Sequence, residues 1–408
     1  MPEEKSRLHL ANFGVKFLLI FNTFLWYFMV LRIRDNLLGM PKMSANVMIT
    51  NTAFSSSIII SSLIGALLSS RVARRDLLVL WITIGVASSF LPAAVAYDQS
   101  AITVGVIFSI LGVAFGLGIP SCLAYFADYT PIEKRGISAG VIILIIHLVL
   151  LPTISLLDML GLFSNCIILA VWRMLGILFV LSKPKREPMP TREGRSTFGE
   201  ILTAKPFLLY FLPWLSYCLL DSFENVILTN FLERNVALFN SIMTLEILLT
   251  PLSVFIGGLF ADRIGRKRVV IYGFVALGFG YAAVGLLPNL DVSWYLYAVA
   301  YGVSAGFLML MFVPLLWGDL SEFNSRERYY AIGIVPFFVS IIVQAFSTEY
   351  GGLVPVYASS SLASFFLFLA VLPLLYAPET LPEKEIELRR LRKYVEKARK
   401  VTEKHQSR

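Results

Sequence analysis

Residues 257–268 read Gly257-Gly258-Leu-Phe-Ala-Asp262-Arg263-Ile-Gly265-Arg266-Lys267-Arg268, and long apolar runs lie on both sides. A membrane helix is not expected to run smoothly through so much charge, so the chain should turn from Asp262 onward. The three glycines permit close helix packing and tight turns, positive φ included. Four cations follow or flank one carboxylate. A short, strongly basic turn between two membrane-length helices is expected on the cytoplasmic side.

Composition agrees with a membrane setting. Of 408 residues, 57% are hydrophobic and 15% charged, at a mean hydropathy of +0.74. That excludes an ordinary soluble domain. A bilayer helix needs about 20 apolar residues, and twelve such runs are visible. They lie near 12–31, 47–69, 77–97, 102–126, 137–157 and 160–181, then 206–228, 239–261, 269–287, 294–318, 329–348 and 353–377. The polar, Pro-rich stretch 182–205 divides them and suits a flexible or surface linker. The expected fold is therefore an all-α integral membrane protein of twelve transmembrane helices, in two six-helix bundles. Its parts are an N-terminal bundle at 1–181, the linker at 182–205, a C-terminal bundle at 206–377 and a basic tail at 378–408. The tail begins acidic, ends basic and can place Leu388, Leu391 and Val395 on one face, as a helix lying beside lipid headgroups would. No cleavable signal peptide is expected, because the first ten residues are polar and the first apolar run is too long.

The loops carry a charge bias. Of the 35 Lys and Arg, the expected outer loops hold only Arg32, Arg34, Lys42 and Arg234, while Lys16 and Arg173 fall inside helices. All others lie on the opposite side, which places both termini in the cytoplasm. The net charge of +8 thus describes topology. No basic run is interleaved with stacking aromatics, so nucleic acid is not an expected partner. Cys122, Cys166 and Cys218 lie within apolar runs and read as packing residues, without metal-ligand spacing.

The two halves repeat. Residues 65–76, Gly65-Ala-Leu-Leu-Ser-Ser70-Arg71-Val-Ala73-Arg74-Arg75-Asp76, align with 257–268 at an offset of 192, from Arg71 to Arg263. Asp128-x6-Arg135 aligns with Asp319-x6-Arg326 at an offset of 191. Two unrelated loops at nearly one offset argue for duplication of a six-helix unit.

These motifs carry a resemblance. The stretch 257–268 is similar to the G-x-L/F-A-D-R-x-G-R-[RK] loop of the major facilitator superfamily, whose halves are a known parallel repeat. Asp128-Tyr-Thr-Pro131-Ile-Glu-Lys-Arg135-Gly136 resembles the acid-x2-Pro-x3-Arg-Gly pattern after helix four, and Pro378-Glu-Thr380 resembles the Pro-Glu-Thr after helix twelve. The first-half loop departs from the pattern, with Ser70 for Asp and Ala73 for Gly. The Arg-x3-Gly mark of drug–proton antiporters is missing, since Gly112 precedes Gly116 at that spacing. The Gln-rich seventh helix of sugar porters is missing too, replaced by Leu220-Asp221-Ser222-Phe223-Glu224-Asn225. The resemblance implies a two-bundle transporter and leaves the subfamily open.

It also implies a gating loop set: Gly258, Asp262, Arg263, Gly265, Arg266 and Lys267, with Arg71, Arg74, Asp128, Arg135, Asp319 and Arg326. Asp262 is expected to pair with Arg326 and with a neighbouring helix N-terminus, where a carboxylate is favoured by roughly 0.3–1 kcal/mol. The competing reading is a solvated turn whose cations only fix topology. Ser70 cannot form the ion pair, so the two latches should be unequal.

Charges within membrane helices are rare and face a cavity or a partner. His147, about 15 Å into helix five, is a candidate proton relay or an interhelical hydrogen-bonding residue. Arg173, about 12 Å into helix six, suits either snorkelling or an anionic contact, and Lys16 suits snorkelling. Asp221 and Glu246 are expected at nearly one depth on adjacent helices. Two such carboxylates repel and lose hydration, which favours holding a proton. Glu224, one turn further out, is expected to be solvated. Alternatively one acid pairs with Arg234 or Arg34. Most aromatics, such as Trp26, Trp172 and Trp294, should pack or form interfacial belts.

The expected function is secondary active transport of a small solute by alternating access, coupled to protons or another ion, by a monomer in the plasma membrane. The competing reading is a non-transporting membrane receptor or assembly factor on the same fold. No phosphate-binding G-x4-G-K-[ST] motif, catalytic constellation or metal-ligand spacing occurs, so neither an enzyme nor a cofactor is expected.

Overall fold

The computed structural model describes residues 2–39, 47–181 and 195–381, with side chains from 17 onward apart from Phe179, Leu181 and Glu349. Among these residues run α1 (Pro2–Leu38), α2 (Val47–Leu68), α3 (Arg74–Ala96), α4 (Ala101–Tyr129), α5 (Ile132–Met159) and α6 (Leu162–Leu181). They are followed by α7 (Lys205–Leu232), α8 (Val236–Ile264), α9 (Arg266–Leu286), α10 (Asp291–Leu320), α11 (Phe323–Ser347) and α12 (Val356–Tyr376). Eleven are long and apolar enough to cross a membrane, and the apolar stretch Leu162–Leu178 of α6 is somewhat shorter. The expected tail helix, most of the linker (182–194) and the Lys16 side chain lie outside the described residues.

The halves repeat their packing as well as their sequence. In the first, α1 packs on α5 and α6, α2 on α4, and α3 on α4 and α6; in the second, α7 packs on α11 and α12, α8 on α10, and α9 on α10 and α12. The two bundles meet through α5 on α8 and α2 on α11, themselves an equivalent pair. Small residues set the spacing. A Cβ on Gly136 of α5 would lie 2.7 Å from the Gly258 carbonyl oxygen of α8, and one on Gly258 would lie 2.5 Å from that of Gly136. Either side chain would push the two bundles apart.

Three helices break within their spans. α4 restarts at Ile119 ahead of Pro120, α10 carries a π-turn at Met311–Leu315 around Pro314, and α11 bends at Ile334 ahead of Pro336. Proline removes a backbone donor and disturbs the preceding turn. Carbonyls near such breaks need partners in a medium without water. Tryptophans supply them: Trp81 Nε1–H donates to Phe115 O at 3.2 Å, Trp317 to Phe312 O at 2.5 Å, and Trp214 to Gly333 O at 3.0 Å. The breaks are thereby fixed, and they bend the three helices around the space between the bundles.

One expectation fails at the opening motif. α8 does not stop at Asp262 but continues helical through Ile264 and reverses at Gly265 alone, with φ +105°. Charge does not end the helix because Asp262 and Arg266 face protein and, of the charged residues in the last turn of α8, only Arg263 is exposed. The three cysteines are buried free thiols, and Trp26 and Trp294 are buried.

Candidate functional site

Two constellations stand out: a charged lock where the basic loops meet, and a cavity between the bundles.

The lock is built from helix ends. Asp128 ends α4 and Arg74 begins α3, and their side chains meet at 2.5 Å. In the second half Asp319 near the end of α10 meets Arg266 at the start of α9 at 3.0 Å. Each aspartate also takes an arginine from the other bundle: Arg326 donates to Asp128, and Arg135 donates to Asp319. Arg74 crosses as well, to Glu327 of α11 at 2.5 Å. Asp319 and Arg266 are fully enclosed. Such pairs are weak evidence of net stability, but removing one partner leaves an uncompensated buried charge. The lock therefore resists partial opening.

Asp262 stands where the bundles touch. Its Oδ1 accepts from the Gly136 backbone N–H at 2.9 Å and its Oδ2 from that of Ile137 at 2.8 Å. These belong to the first α-helical turn of α5, which opens at Arg135 after the 3-10 turn Ile132–Lys134, and there unsatisfied donors and the helix dipole favour an anion. The expected partner Arg326 is not at Asp262. Arg326 belongs to Asp128, and among the described contacts Asp262 has Arg266 at 3.2 Å, one turn away on the same face. Arg266 also crosses the interface, donating to Ile132 O at 2.6 Å. Arg71 and Arg263 are exposed, and Lys267 caps the end of α12 by donating to Leu375 O at 2.7 Å.

Sequence reasoning missed two acids here. Glu327 follows the repeat residue Arg326 and escaped because only the aligned positions were weighed. Glu379, inside the noted Pro-Glu-Thr, accepts from the backbone N–H groups of Arg266, Thr380 and Leu381 at 2.8, 3.0 and 3.1 Å. It ties the end of the second bundle to the start of α9.

The cavity lies between the bundles, beyond the lock, with a volume of about 280 Å³. Aromatic rings dominate its wall: Tyr27, Phe28 and Phe115 from the first bundle, and Trp214, Tyr301 and Phe338 from the second. Its polar groups are few. Asp221, His147, Thr250 and Ser340 are among them. The Ser340 hydroxyl is engaged with Phe337 O at 2.7 Å. His147 Nδ1 lies 2.8 Å from Ile143 O. A carbonyl only accepts, so Nδ1 carries the hydrogen and Nε2 is the remaining ring nitrogen.

Asp221 of α7 is half-buried, and the Tyr281 hydroxyl of α9 donates to it at 3.4 Å. Glu246 of α8 is within electrostatic reach of Asp221, and its Oε1 is buried with no hydrogen-bond partner among the described residues. Neither acid meets the arginines weighed from sequence: Arg34 pairs with Asp35 at 2.8 Å, and Arg234 stands over the Phe231 ring. Glu224 is not solvated as expected. It is 3% exposed and accepts from Ser360 of α12 at 2.9 Å.

Arg173 lies elsewhere. It is fully enclosed in the first bundle, its guanidinium 4.1 Å from the Trp81 ring centroid and 5.1 Å from that of Trp26. It donates to Asn22 and Thr23 of α1, each at 3.2 Å. It neither snorkels nor lines the cavity, because two indoles and α1 stand between them. Cation–π contact takes the place of a carboxylate.

No protein-family model and no curated protein sequence matches the chain. Solved structures do. The human organic anion transporter MFSD10 covers 90% of this chain and 99% of its own length, at a TM-score of 0.67 and 16% identity. The E. coli fucose:proton symporter FucP covers 91% and 99%, at 0.70 and 9% identity. The proton:xylose symporter XylE covers 93% and 98%, at 0.60 and 15% identity. The chain is thus similar over most of its length to transporters of the major facilitator superfamily, and it has their fold: a multi-pass membrane protein of two six-helix bundles.

Proposed function

We propose that the protein is a secondary transporter, moving a small solute by alternating access through the cavity between its bundles. The observation that carries this reading is the reciprocal lock. Each bundle lends an arginine to the other's aspartate, at one end of a cavity that both bundles line. A lock of that kind holds one face closed and must break for the other state to form. Rocking two bundles about a fixed site needs such a two-state contact. In this reading the basic face, both termini and the linker are cytoplasmic, the protein sits in the plasma membrane as a monomer, and Asp221 with Glu246 handles the coupling proton while His147 relays it.

The latch is tested by labelling. Leu123 lines the cavity and is buried. A cysteine placed there, in a chain without its native thiols, reports opening of the basic face to an impermeant maleimide. Asp262→Asn weakens the hold on α5, and labelling should rise several-fold. Equal labelling with and without the substitution would sink the latch. Coupling is tested in proteoliposomes once a solute is known. Asp221→Asn and Glu246→Gln should abolish pH-driven accumulation, and Glu246→Gln should do so while sparing exchange. Full accumulation in both variants would move the coupling site elsewhere.

A further inference from the structure

The cavity's chemistry narrows what it can hold, and the inference drawn from it rests on the transport reading above. Among the described residues that line it, Asp221 is the carboxylate, and there is no Lys or Arg. The nearest arginines of the first bundle are spoken for. Arg173 stacks on Trp26 and Trp81, and Arg34, which is not itself among the lining residues, pairs with Asp35 through Nε and Nη2 and leaves only Nη1 without a partner. An anion would meet one fixed negative charge and no positive one. A sugar needs many directed polar groups, yet here Ser340 is tied to its own helix and one nitrogen of His147 to Ile143. What remains is one carboxylate and a few scattered groups, Thr250, His147 Nε2 and the hydroxyls of Tyr27, Tyr217 and Tyr301, among aromatic side chains. Aromatic faces attract cations, and more strongly where water is excluded.

We propose that the cavity takes an organic cation, an amine or quaternary ammonium with an apolar body, and that Asp221 is its counter-ion. The second bundle focuses the charge. Glu246 on α8 and Glu224 on α7 both lie within electrostatic reach of Asp221, and neither has an arginine or lysine partner among the described contacts. The tyrosines within electrostatic reach of Asp221, namely Tyr281 from α9, Tyr297 and Tyr301 from α10 and Tyr217 on α7 itself, are neutral phenols at neutral pH, as tyrosine ordinarily is. Cys218 is a buried thiol beside it, and His147 of α5 closes the same cavity from the other bundle. Proton and organic cation then compete for one carboxylate. A site that holds one or the other, never both, favours exchange of the two over their joint passage.

The probe is phenyltrimethylammonium, compared with its neutral isostere tert-butylbenzene and with benzenesulfonate, by calorimetric titration of the purified full-length chain. The cation should bind saturably, and both comparators should bind about tenfold more weakly or worse. Asp221→Asn should reduce cation affinity by about tenfold, and Asp221→Glu should largely restore it. The probe's charge is permanent, so any pH dependence belongs to the protein. Affinity should fall as pH falls, because protonation discharges the carboxylate, and the fall should vanish in Asp221→Asn. Equal binding of the three probes to the wild-type chain would overturn the proposal without any variant. So would pH-dependent binding that persists in Asp221→Asn. Cation binding without flux in proteoliposomes would instead remove the transport reading and leave the ligand class standing. Labelling at position 123 that rises in Asp262→Asn, with no cation binding, would do the reverse.

Discussion

The α2–α3 and α8–α9 turns share one sequence pattern and hold their bundles differently. Both place an arginine at the start of the following helix, Arg74 and Arg266, and both aim it at the aspartate of the same bundle. Beyond that they diverge. The second turn has Asp262, which satisfies two N–H groups of α5 across the interface. The first has Ser70, whose hydroxyl returns to its own helix at Leu67 O, 2.6 Å away. The second reverses at Gly265 with φ +105°, and the first passes through Ala73 at φ −58°. Where the first turn lacks the helix cap, Glu327 compensates by taking Arg74. The ion-pair exchange is thus duplicated and the cap is not. One interface is held by a carboxylate on backbone, the other by a carboxylate on guanidinium.

The largest effect should separate the two aspartates. Asp319 is fully enclosed and serves two buried arginines, Arg135 and Arg266. Asp319→Ala leaves Arg135 without an acid and Arg266 with only Asp262 at 3.2 Å, at a cost of about 3–5 kcal/mol. Asp128→Ala should cost about half as much. There Arg74 keeps Glu327, while Arg326 is 17% exposed and keeps the Gly318 carbonyl. Thermal unfolding in detergent ranks the two. The reverse order would break the comparison.

The turns themselves come next. An alanine at Gly265 must adopt a positive φ, and its Cβ would sit 2.2 Å from a Glu379 carboxylate oxygen. Gly265→Ala should cost about 1–3 kcal/mol. Glu379→Ala loses three backbone hydrogen bonds of its own, so measured against Glu379→Ala alone the added Gly265→Ala should cost only the backbone part. Ala73→Gly, in a turn that any residue can make, should cost no more than about 1 kcal/mol. A Gly265→Ala chain that melts with the wild type would mean that the two turns are interchangeable.

These contrasts also show what the sequence disclosed. Twelve apolar runs, the charge bias and the two offsets are local or periodic signals, and they were enough for the fold. The lock residues were legible as repeated motifs. Their pairing was not, because it crosses between bundles: Asp262 and Arg326 sit in one bundle, yet each finds its partner in the other, Asp262 at the start of α5 and Arg326 at Asp128. Arg173 and Glu224 misled for a related reason. Depth along a helix can be counted from residue numbers, but the direction in which a side chain points depends on neighbours far away in the chain. For Arg173 those neighbours are Asn22, Trp26 and Trp81; for Glu224 the neighbour is Ser360. The cavity's aromatic wall was hidden for want of any local mark. Phe and Tyr that line it look the same in sequence as those that face lipid.

The smallest effects test the cap itself. Asp262→Asn keeps the side chain's size and one acceptor for the α5 donors. It loses the charge at the helix N-terminus and the 3.2 Å contact with Arg266. The cost should be about 1–2 kcal/mol, the upper part of the range for caps and helix-terminus charges because the group is buried. Ser70→Ala removes only a hydroxyl bonded within its own helix on an exposed turn, so it should change stability by less than about 0.5 kcal/mol. The pair gives a further reading through Glu327. If Glu327 replaces the missing cap, Ser70→Ala should stay silent even in an Asp262→Asn chain, whereas Glu327→Gln should add to Asp262→Asn nearly in full. Two contacts that hold separate helices, α5 and α11, share no partner and should be additive. A Ser70→Ala loss as large as that of Asp262→Asn would show that the serine, despite its exposed position, still does the work of the carboxylate it replaced.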